Sequence, residues 1–315
     1  MGYQPAPLLL TEAGTPPRGT AVWAETSDSV RIRVGLWPSD SAAKGTVLIL
    51  PGRTEYIEKY ADAISAMLSG GYAVAVIDWR GQGLARRLLD DKRLGHVNRF
   101  TDYQLDLEAA IAAVDSHDLP APYHLIGHSM GGCIGLRAAM DRADIATAAF
   151  TGPMWGIAMS PLLKPLGHVA AYGGTALGLG HTLAPSSSIK PYVLEQPFDD
   201  NTLTTDQPMY QMMRAHLQAH PELALGGPTL HWLREALDEM KALAERPSPD
   251  LPCLCYVGNN ERIVDIPAIR DRMGRWPGGT LHELAGKEHE VLMEDPEQRR
   301  IIYDQLLDLF GSIGS

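Results

Sequence analysis

The chain has 315 residues, a length that suits one large α/β domain, and 45% of them are apolar, which is enough for a substantial buried core. Its 27 basic and 38 acidic side chains give a formal net charge of −11, which excludes most sequence-independent binders of nucleic acid or anionic lipid. A small neutral or amphiphilic molecule is therefore the expected kind of partner, and nucleic acid is not.

The start of the sequence and its cysteines suggest the compartment. No signal peptide is expected, because the first residues, MGYQPAPLLLTEAGTPP, contain neither a basic region nor a sustained apolar run. The three cysteines, Cys133, Cys253 and Cys255, do not have the spacing of a zinc site and are expected to be buried thiols. We therefore expect a cytoplasmic protein.

The first elements in chain order are strands, and helices then alternate with them. The strand patterns Ala21–Glu25 and Val30–Trp37 flank a polar turn, which predicts a hairpin. Short apolar runs then alternate with helical periodicity, which predicts parallel strands covered by helices on both faces. The predicted strands are Thr46–Leu50, Tyr72–Asp78, Tyr123–Ile126 and Ile145–Phe150, and the predicted helices are Tyr56–Leu68, Asp102–Val114 and Met130–Met140.

The alternation stops between residues 154 and 227, a segment rich in Gly, Pro, Ser, Met and aromatic residues. It resumes afterwards with the predicted helices Thr229–Leu243, Ile266–Gly274 and Pro296–Phe310 and the predicted strands Cys253–Val257 and Thr280–Leu284. We expect such an insert between two halves of one sheet to form a lid. The predicted organisation is thus one α/β core in two parts, residues 1–153 and 228–315, with a lid at 154–227.

One stretch of the insert, residues 166–184, is weakly hydrophobic and invites comparison with a membrane-spanning helix. Its glycines and the histidines near both ends make an irregular or short helical covering element the better expectation.

The first candidate catalytic residues follow the predicted strand Tyr123–Ile126. The letters GHSMG at 127–131 have the G-x-S-x-G pattern, which between a buried strand and a small-residue helix is typical of a nucleophile elbow. The glycines remove side chains that would collide in the sharp turn, and the helix N-terminus favours a developing negative charge. Ser129 is therefore the predicted nucleophile, and a Gly-rich turn without chemistry is the alternative.

A serine nucleophile needs a base and an acid that orients the base. His289 follows the last predicted strand, where a sheet of this kind carries its base. Two carboxylates compete for the acid after the preceding strand, Glu261 and Asp265. Glu261 is nearer to the strand end and is the predicted acid, whereas Asp265 directly precedes a helix and is suited to cap it.

Acyl transfer also needs donors for the oxyanion that forms on the substrate. The backbone N–H of Met130, next to the nucleophile, is one candidate, and that of Arg53, in the loop after the strand Thr46–Leu50, is the other. His128, the other neighbour of the serine, is expected to pack or hydrogen-bond locally.

These patterns together resemble the α/β-hydrolase superfamily and, within it, the branch of lysophospholipases and monoacylglycerol lipases. The resemblance extends from about Val22 to the C-terminus. It is carried by DWRGQG at 78–83, GHSMGG at 127–132, NTLTTD at 201–206, PTLHWL at 228–233, ERIVD at 261–265 and HEVL at 289–292. It implies a mostly parallel central sheet with helices on both faces and an inserted lid.

The chain departs from the family pattern at three places. Pro51-Gly52 stands where many members have His-Gly, which a backbone oxyanion donor tolerates. Glu261 stands where many have Asp, which changes the reach of the acid. Ala85 stands where a serine is common, which affects a local hydrogen bond.

The resemblance implies a serine hydrolase that cleaves carboxylic esters of lipid-like substrates, lysophospholipid or monoacylglycerol, through an acyl-enzyme intermediate. No metal or organic cofactor is expected. A short-chain carboxylesterase or a peptidase on the same fold is one alternative, and a non-catalytic ligand receptor that kept the fold is another. The expected partner is a small amphiphilic ester, and an apolar lid leaves transient contact with a membrane surface open.

Overall fold

The computed structural model describes residues 2–9, 18–39, 44–159 and 164–313. Within these residues nine strands form a single sheet. They are β1 Gln4–Ala6, β2 Thr20–Glu25, β3 Arg31–Trp37, β4 Thr46–Leu50, β5 Ala73–Asp78, β6 Tyr123–His128, β7 Ile145–Thr151, β8 Cys253–Gly258 and β9 Gly279–Leu284. The spatial order is β1-β2-β3-β5-β4-β6-β7-β8-β9.

The sheet is antiparallel at one edge and parallel through the rest. β1, β2, β3 and β5 pair antiparallel in that order, whereas β5, β4, β6, β7, β8 and β9 pair in parallel. All carboxyl ends of the parallel strands therefore lie at one edge of the sheet, where the loops that follow them can meet.

Helices cover both faces of this sheet. They are α1 Ala61–Ser69, α2 Asp102–Ser116, α3 Met130–Asp141, α4 Lys164–Ala176, α5 Tyr192–Glu195, α6 Gln207–Ala219, α7 Leu230–Ala244, α8 Ile266–Gly274 and α9 Pro296–Gly311, with short 3-10 turns at Ile57–Tyr60, Pro221–Leu223 and Val291–Met293.

Alternate residues of the central strand β4 pack into two different apolar layers. Leu48 and Leu50 belong to the layer that contains residues of α2, α3, α7 and α8, whereas Val47 and Ile49 belong to the layer with α1 and α9. A strand buried on both faces in this way has a continuous apolar sequence. The parallel α/β architecture with helices on both faces, predicted from such runs, is confirmed.

The elements differ from the predicted ones mainly at their ends. The predicted helix Tyr56–Leu68 begins as the 3-10 turn Ile57–Tyr60 and becomes α-helical only at Ala61. The Asp78 carboxylate accepts the N–H of Ile57 at 2.9 Å, which ties the start of this turn to the end of β5. Strand β1, which has no strand-like pattern, was not predicted and forms by pairing with β2.

The segment between β7 and α7 contributes no strand to the sheet in its described part, and residues 160–163 of the predicted insert lie outside the described residues. Its helix α4 packs against α7, and α5 packs against α6. In the described residues, no helix is long and apolar enough to cross a membrane. The three cysteines are buried free thiols, as predicted.

Candidate active site

Ser129 stands in a strained turn between β6 and α3. Its φ of 49° and ψ of −115° place a non-glycine residue in a region that L-residues rarely adopt. A Cβ atom on Gly131 would lie 1.9 Å from the Leu50 carbonyl oxygen, and one on Gly127 would lie 2.9 Å from the Gly131 carbonyl oxygen. The two glycines are therefore required by close backbone approach, as the G-x-S-x-G pattern predicts.

His289 and Glu261 form a buried pair at the ends of β9 and β8. The ring Nδ1 of His289 lies 2.6 Å from Oε2 of Glu261. The other oxygen of Glu261 accepts the N–H groups of Ile263 at 2.6 Å and Val264 at 3.1 Å. Burial alone raises the pKa of Glu261, but His289 and the two backbone donors outweigh it and lower that pKa.

The structure distinguishes between Glu261 and Asp265, the two candidates for the acid. Asp265 stands at the N-cap position of α8, but its side chain makes no capping hydrogen bond there, and its N–H donates to the Gly156 carbonyl at 3.0 Å. The imidazole of His289 is paired with Glu261 instead. A carboxylate in this position holds the ring in the tautomer that leaves Nε2 unprotonated and available as a base.

A cavity of about 410 Å³ connects these groups, because Ser129 and His289 both line it. Gly152, which follows β7, lies so close to the His289 ring that an added Cβ would be 3.0 Å from Nδ1. The structure thus pairs His289 directly with Glu261 and places Ser129 on the wall of the same cavity.

The loop after β4, which holds the predicted oxyanion donor Arg53, is fixed by the turn after β5. The Gln82 side chain donates to the Gly52 carbonyl at 3.0 Å and accepts the Thr54 N–H at 3.1 Å. The indole N–H of Trp79 donates to the Pro51 carbonyl at 2.9 Å. These contacts fix the loop on both sides of Arg53.

Two backbone donors at this edge of the sheet are left without a protein acceptor. Across the described ranges, neither the N–H of Arg53 nor that of Met130 donates a hydrogen bond to another group of the protein. Both are the predicted oxyanion donors. Unpaired backbone donors near a cavity are rare in folded proteins, and they suit a developing negative charge.

A cluster of buried charges lies beside this loop, and the sequence analysis did not identify it. Lys59 donates to Glu290 at 2.6 Å and also bonds to Glu55. His128 Nε2 lies 3.1 Å from the other Glu290 oxygen, and its Nδ1 lies 2.9 Å from the Thr151 carbonyl. Only the i,i+4 spacing of Glu55 and Lys59 was a sequence signal for it.

Attraction between the groups of this cluster shifts the pKa values of His128 and Glu290. Burial on its own lowers the pKa of His128, but Glu290 and Glu55 raise it overall. Burial likewise raises the pKa of Glu290, yet His128 and Lys59 hold it well below its usual range. The contacts of this cluster therefore favour the protonated form of His128 and the ionised form of Glu290.

The same residues include a possible metal-ligand set. The ligand atoms of Glu55, His128 and Glu290 lie within 4.8 Å of one another. The ammonium of Lys59 bonds to both carboxylates, and a metal ion there would meet a like charge. The donor set fits an ion-pair network better than a metal centre.

The remaining wall of the cavity is mostly apolar. Residues of the segment between β7 and α7 form much of it, and they are joined by side chains of α7 and of the loop after β8. They include Met154, Ile157, Met159, Ala184, Pro185, Val193, Leu203, Met213, Leu217, Leu225, Trp232, Leu233, Ile263 and Val264. A lining of this kind suits an apolar ligand that reaches the serine.

Solved structures share this architecture. A soluble variant of monoglyceride lipase from Saccharomyces cerevisiae superposes with a TM-score of 0.72 at 17% identity, covering 97% of each chain. A thermostable carboxyl esterase from Bacillus coagulans gives a TM-score of 0.74 at 16% identity, covering 94% of this chain and 99% of that one. At these identities the likeness concerns the fold, which is the α/β-hydrolase fold.

Known proteins are also similar to this chain in sequence, at higher identity than the solved structures described above. Lysophospholipase L2 of Escherichia coli K12 is 32% identical over 286 residues, which cover 84% of this chain and 80% of that protein. Monoacylglycerol lipase of Mycolicibacterium smegmatis is 22% identical over 280 residues, covering 87% and 91%. Residues 41–296 match the hydrolase family described as serine aminopeptidase, S33, and the chain therefore belongs to that family of α/β-hydrolases.

Proposed function

We propose that this carboxylic ester hydrolase cleaves the single acyl ester of a lysophospholipid or a monoacylglycerol through an acyl-enzyme on Ser129. One observation carries the proposal: the strained serine lines the same apolar cavity as a histidine whose Nδ1 lies 2.6 Å from Glu261. The names of the similar proteins, lysophospholipase L2 and monoacylglycerol lipase, support the substrate class.

In the proposed mechanism Ser129 Oγ attacks the ester carbonyl while His289 Nε2 takes its proton. Glu261 stabilises the imidazolium, and the N–H groups of Met130 and Arg53 donate to the oxyanion. The tetrahedral intermediate expels the alcohol, which receives the proton from His289. Water then attacks the acyl-enzyme with the same histidine as base, and the fatty acid leaves.

Residues 154–227 act in this proposal as a lid that shapes the acyl site. Val193 and Met213 line the cavity and pack together with Tyr56 and Leu217 in a small apolar cluster of their own. An acyl chain in this space would be shielded from water along much of its length. Movement of the segment would then admit the substrate.

The lid also offers a surface for contact with aggregated lipid. Val169, Leu177 and Leu179 are exposed by 69%, 79% and 50%. Exposed apolar side chains near one another in sequence favour a membrane or micelle surface. Replacing Leu177 and Leu179 by serine should lower hydrolysis of micellar substrate more than hydrolysis of a short monomeric ester, and an equal effect on both would argue against surface contact.

The proposed activity is tested by a substrate series with a Ser129→Ala variant. The wild type should hydrolyse monoacylglycerols and lysophospholipids and should be labelled by a fluorophosphonate, whereas Ser129→Ala should do neither. Ser116→Ala, a matched change at the end of α2, should keep both properties. Turnover of aminoacyl arylamides in place of esters would identify a peptidase, and a folded wild type that is not labelled would favour a ligand receptor.

A further inference from the structure

We propose that the Arg53 side chain binds the phosphodiester of a lysophospholipid, so that the enzyme prefers this anionic substrate to a neutral monoacylglycerol of equal chain length. This inference rests on the proposed function, in which both esters reach Ser129.

Arg53 is a half-buried cation on the wall of the cavity. Its Nη1 donates to the Gly226 carbonyl at 2.8 Å, and its Cζ lies 5.8 Å from the centroid of the Trp232 ring. Among the residues that the structure describes, no carboxylate lies within 4.0 Å of its guanidinium nitrogens. One hydrogen bond leaves most of the guanidinium donors for a ligand.

Other buried arginines on this side of the molecule, unlike Arg53, form ion pairs with carboxylates. Arg33 pairs with Glu58 and Asp78, and Arg80 pairs with Asp28 and Asp106. Two guanidiniums in the described part of the chain that are at least partly buried and lack a carboxylate bond to several backbone carbonyls instead. Such arginines are Arg87, which bonds to four carbonyl oxygens, and Arg272, which bonds to those of Leu243 and Arg246.

A half-buried cation without a counter-charge is costly, and an anionic ligand removes that cost. Burial lowers the pKa of Arg53 to about 10, which still leaves the side chain protonated at neutral pH. A guanidinium can bind a phosphate through two parallel charge-assisted hydrogen bonds, each roughly twice as strong as a bond between neutral groups. The nearby carboxylates Glu55 and Glu290 are already held by Lys59 and do not compete.

The placement of Arg53 also matches the substrate. Its backbone N–H is the proposed donor to the oxyanion, so its Cα lies near the reacting carbonyl. Its side chain extends from there by a length comparable to the glycerol unit that separates an acyl ester from a phosphodiester. Arg53 and Ser129 line the same cavity, so a lysophospholipid whose ester is held at Ser129 would bring its phosphate to the guanidinium, whereas a monoacylglycerol would present only a hydroxyl there.

The test compares kcat/KM for lauroyl lysophosphatidylglycerol and for 1-lauroylglycerol, both as monomers, in the wild type, Arg53→Met and Arg53→Lys. We expect Arg53→Met to lower the phospholipid-to-neutral ratio by about 10- to 100-fold, mainly through KM of the phospholipid. Arg53→Lys, which keeps the charge, should retain part of the preference. A ratio in Arg53→Met within about twofold of the wild type would overturn the proposal.

Binding of uncleavable ether analogues tests the same contact without turnover. In the wild type, calorimetry should give a dissociation constant about tenfold or more lower for a dodecyl ether lysophosphatidylglycerol than for 1-dodecylglycerol. Equal affinities for the two ether analogues would refute the role of Arg53, even if the variants failed to fold. If glycerol 3-phosphate bound as tightly as the ether phospholipid, the site would recognise a free phosphate ester and not a lipid headgroup, which would overturn the proposal. A wild type that bound the ether phospholipid preferentially but cleaved neither ester would instead contradict the proposed activity.

Discussion

Lys59 holds together the buried charges beside the oxyanion loop, and its replacement by methionine tests that role. Its side chain is 4% exposed, and those of its partners Glu55 and Glu290 are 5% and 7% exposed. Methionine has nearly the same shape but no charge, so the two carboxylates would lose the ammonium that contacts both of them and would keep the His128 ring as a neighbour.

The expected cost follows from the burial of these groups. Removing one partner of a buried ion pair leaves an uncompensated charge and costs about 3–5 kcal/mol of unfolding free energy. In a protein of this size such a loss lowers Tm by roughly 5–10 °C. Glu55 also accepts the N–H of Gly52, so a displaced Glu55 should disturb the oxyanion loop and lower kcat as well.

Urea unfolding followed by tryptophan fluorescence at pH 7.5 measures this cost. Arg270→Met is the matched control, because its exposed pair with Glu283 should contribute less than about 1 kcal/mol. The double variant Lys59→Met/Glu290→Gln should recover part of the loss, since it removes one of the unpaired carboxylates. A single variant within about 1 kcal/mol of the wild type, or a double variant no more stable than the single one, would refute the reasoning.

Three further predictions concern the acid, the elbow and the buried histidines. Glu261→Gln should lower kcat by about 10³- to 10⁴-fold in steady-state ester hydrolysis, because an amide cannot stabilise the imidazolium, and a loss below about tenfold would argue against its role. Gly131→Ala should cost more than about 3 kcal/mol in thermal unfolding, because its Cβ would lie 1.9 Å from a carbonyl oxygen, whereas Gly274→Ala, with no atom within 4 Å of the added Cβ, should be close to neutral. Burial lowers the pKa of His96 and of His124 to about 4, so each gains a proton on unfolding and the unfolding free energy should fall as the pH drops from about 6.5 towards 4. Urea titrations across that range should show a shallower fall for His124→Asn, and an unchanged slope would contradict this origin.

The sheet and the elbow could be predicted because their signals are local. A run such as Thr46–Leu50 needs only its own five residues to indicate a strand buried on both faces. The collision that an added Cβ on Gly131 would make is likewise inherent in the sharp turn of a G-x-S-x-G elbow. Chain order was then enough to direct attention to His289 and Glu261.

The charge cluster could not be predicted in this way, because its members meet only in the folded chain. Lys59 and Glu290 are separated by 231 positions, and each stands in an ordinary polar context in the sequence. Within the insert, the sequence predicted only an irregular or short helical covering element at residues 166–184, because that stretch is Gly-rich; the 13-residue helix α4, which overlaps it, packs against α7. Helix α6 was missed although it carries local signals, since Asp206 is its N-cap and Pro208 stands in its first turn.

The departure from the family pattern at Pro51, and the glycine that the chain shares with that pattern at position 52, become understandable from backbone contacts. At position 51 the loop uses the carbonyl oxygen, which accepts the Trp79 indole N–H at 2.9 Å, and a proline supplies this acceptor as well as a histidine does. At position 52 a side chain is excluded, because a Cβ would lie 3.0 Å from both the Glu55 carboxylate and the His128 ring. The next residue, Arg53, is therefore presented by a loop whose geometry depends on main-chain bonds and on the glycine. Because that geometry is independent of the Arg53 side chain, the guanidinium can serve headgroup recognition while its own N–H remains in the proposed oxyanion site.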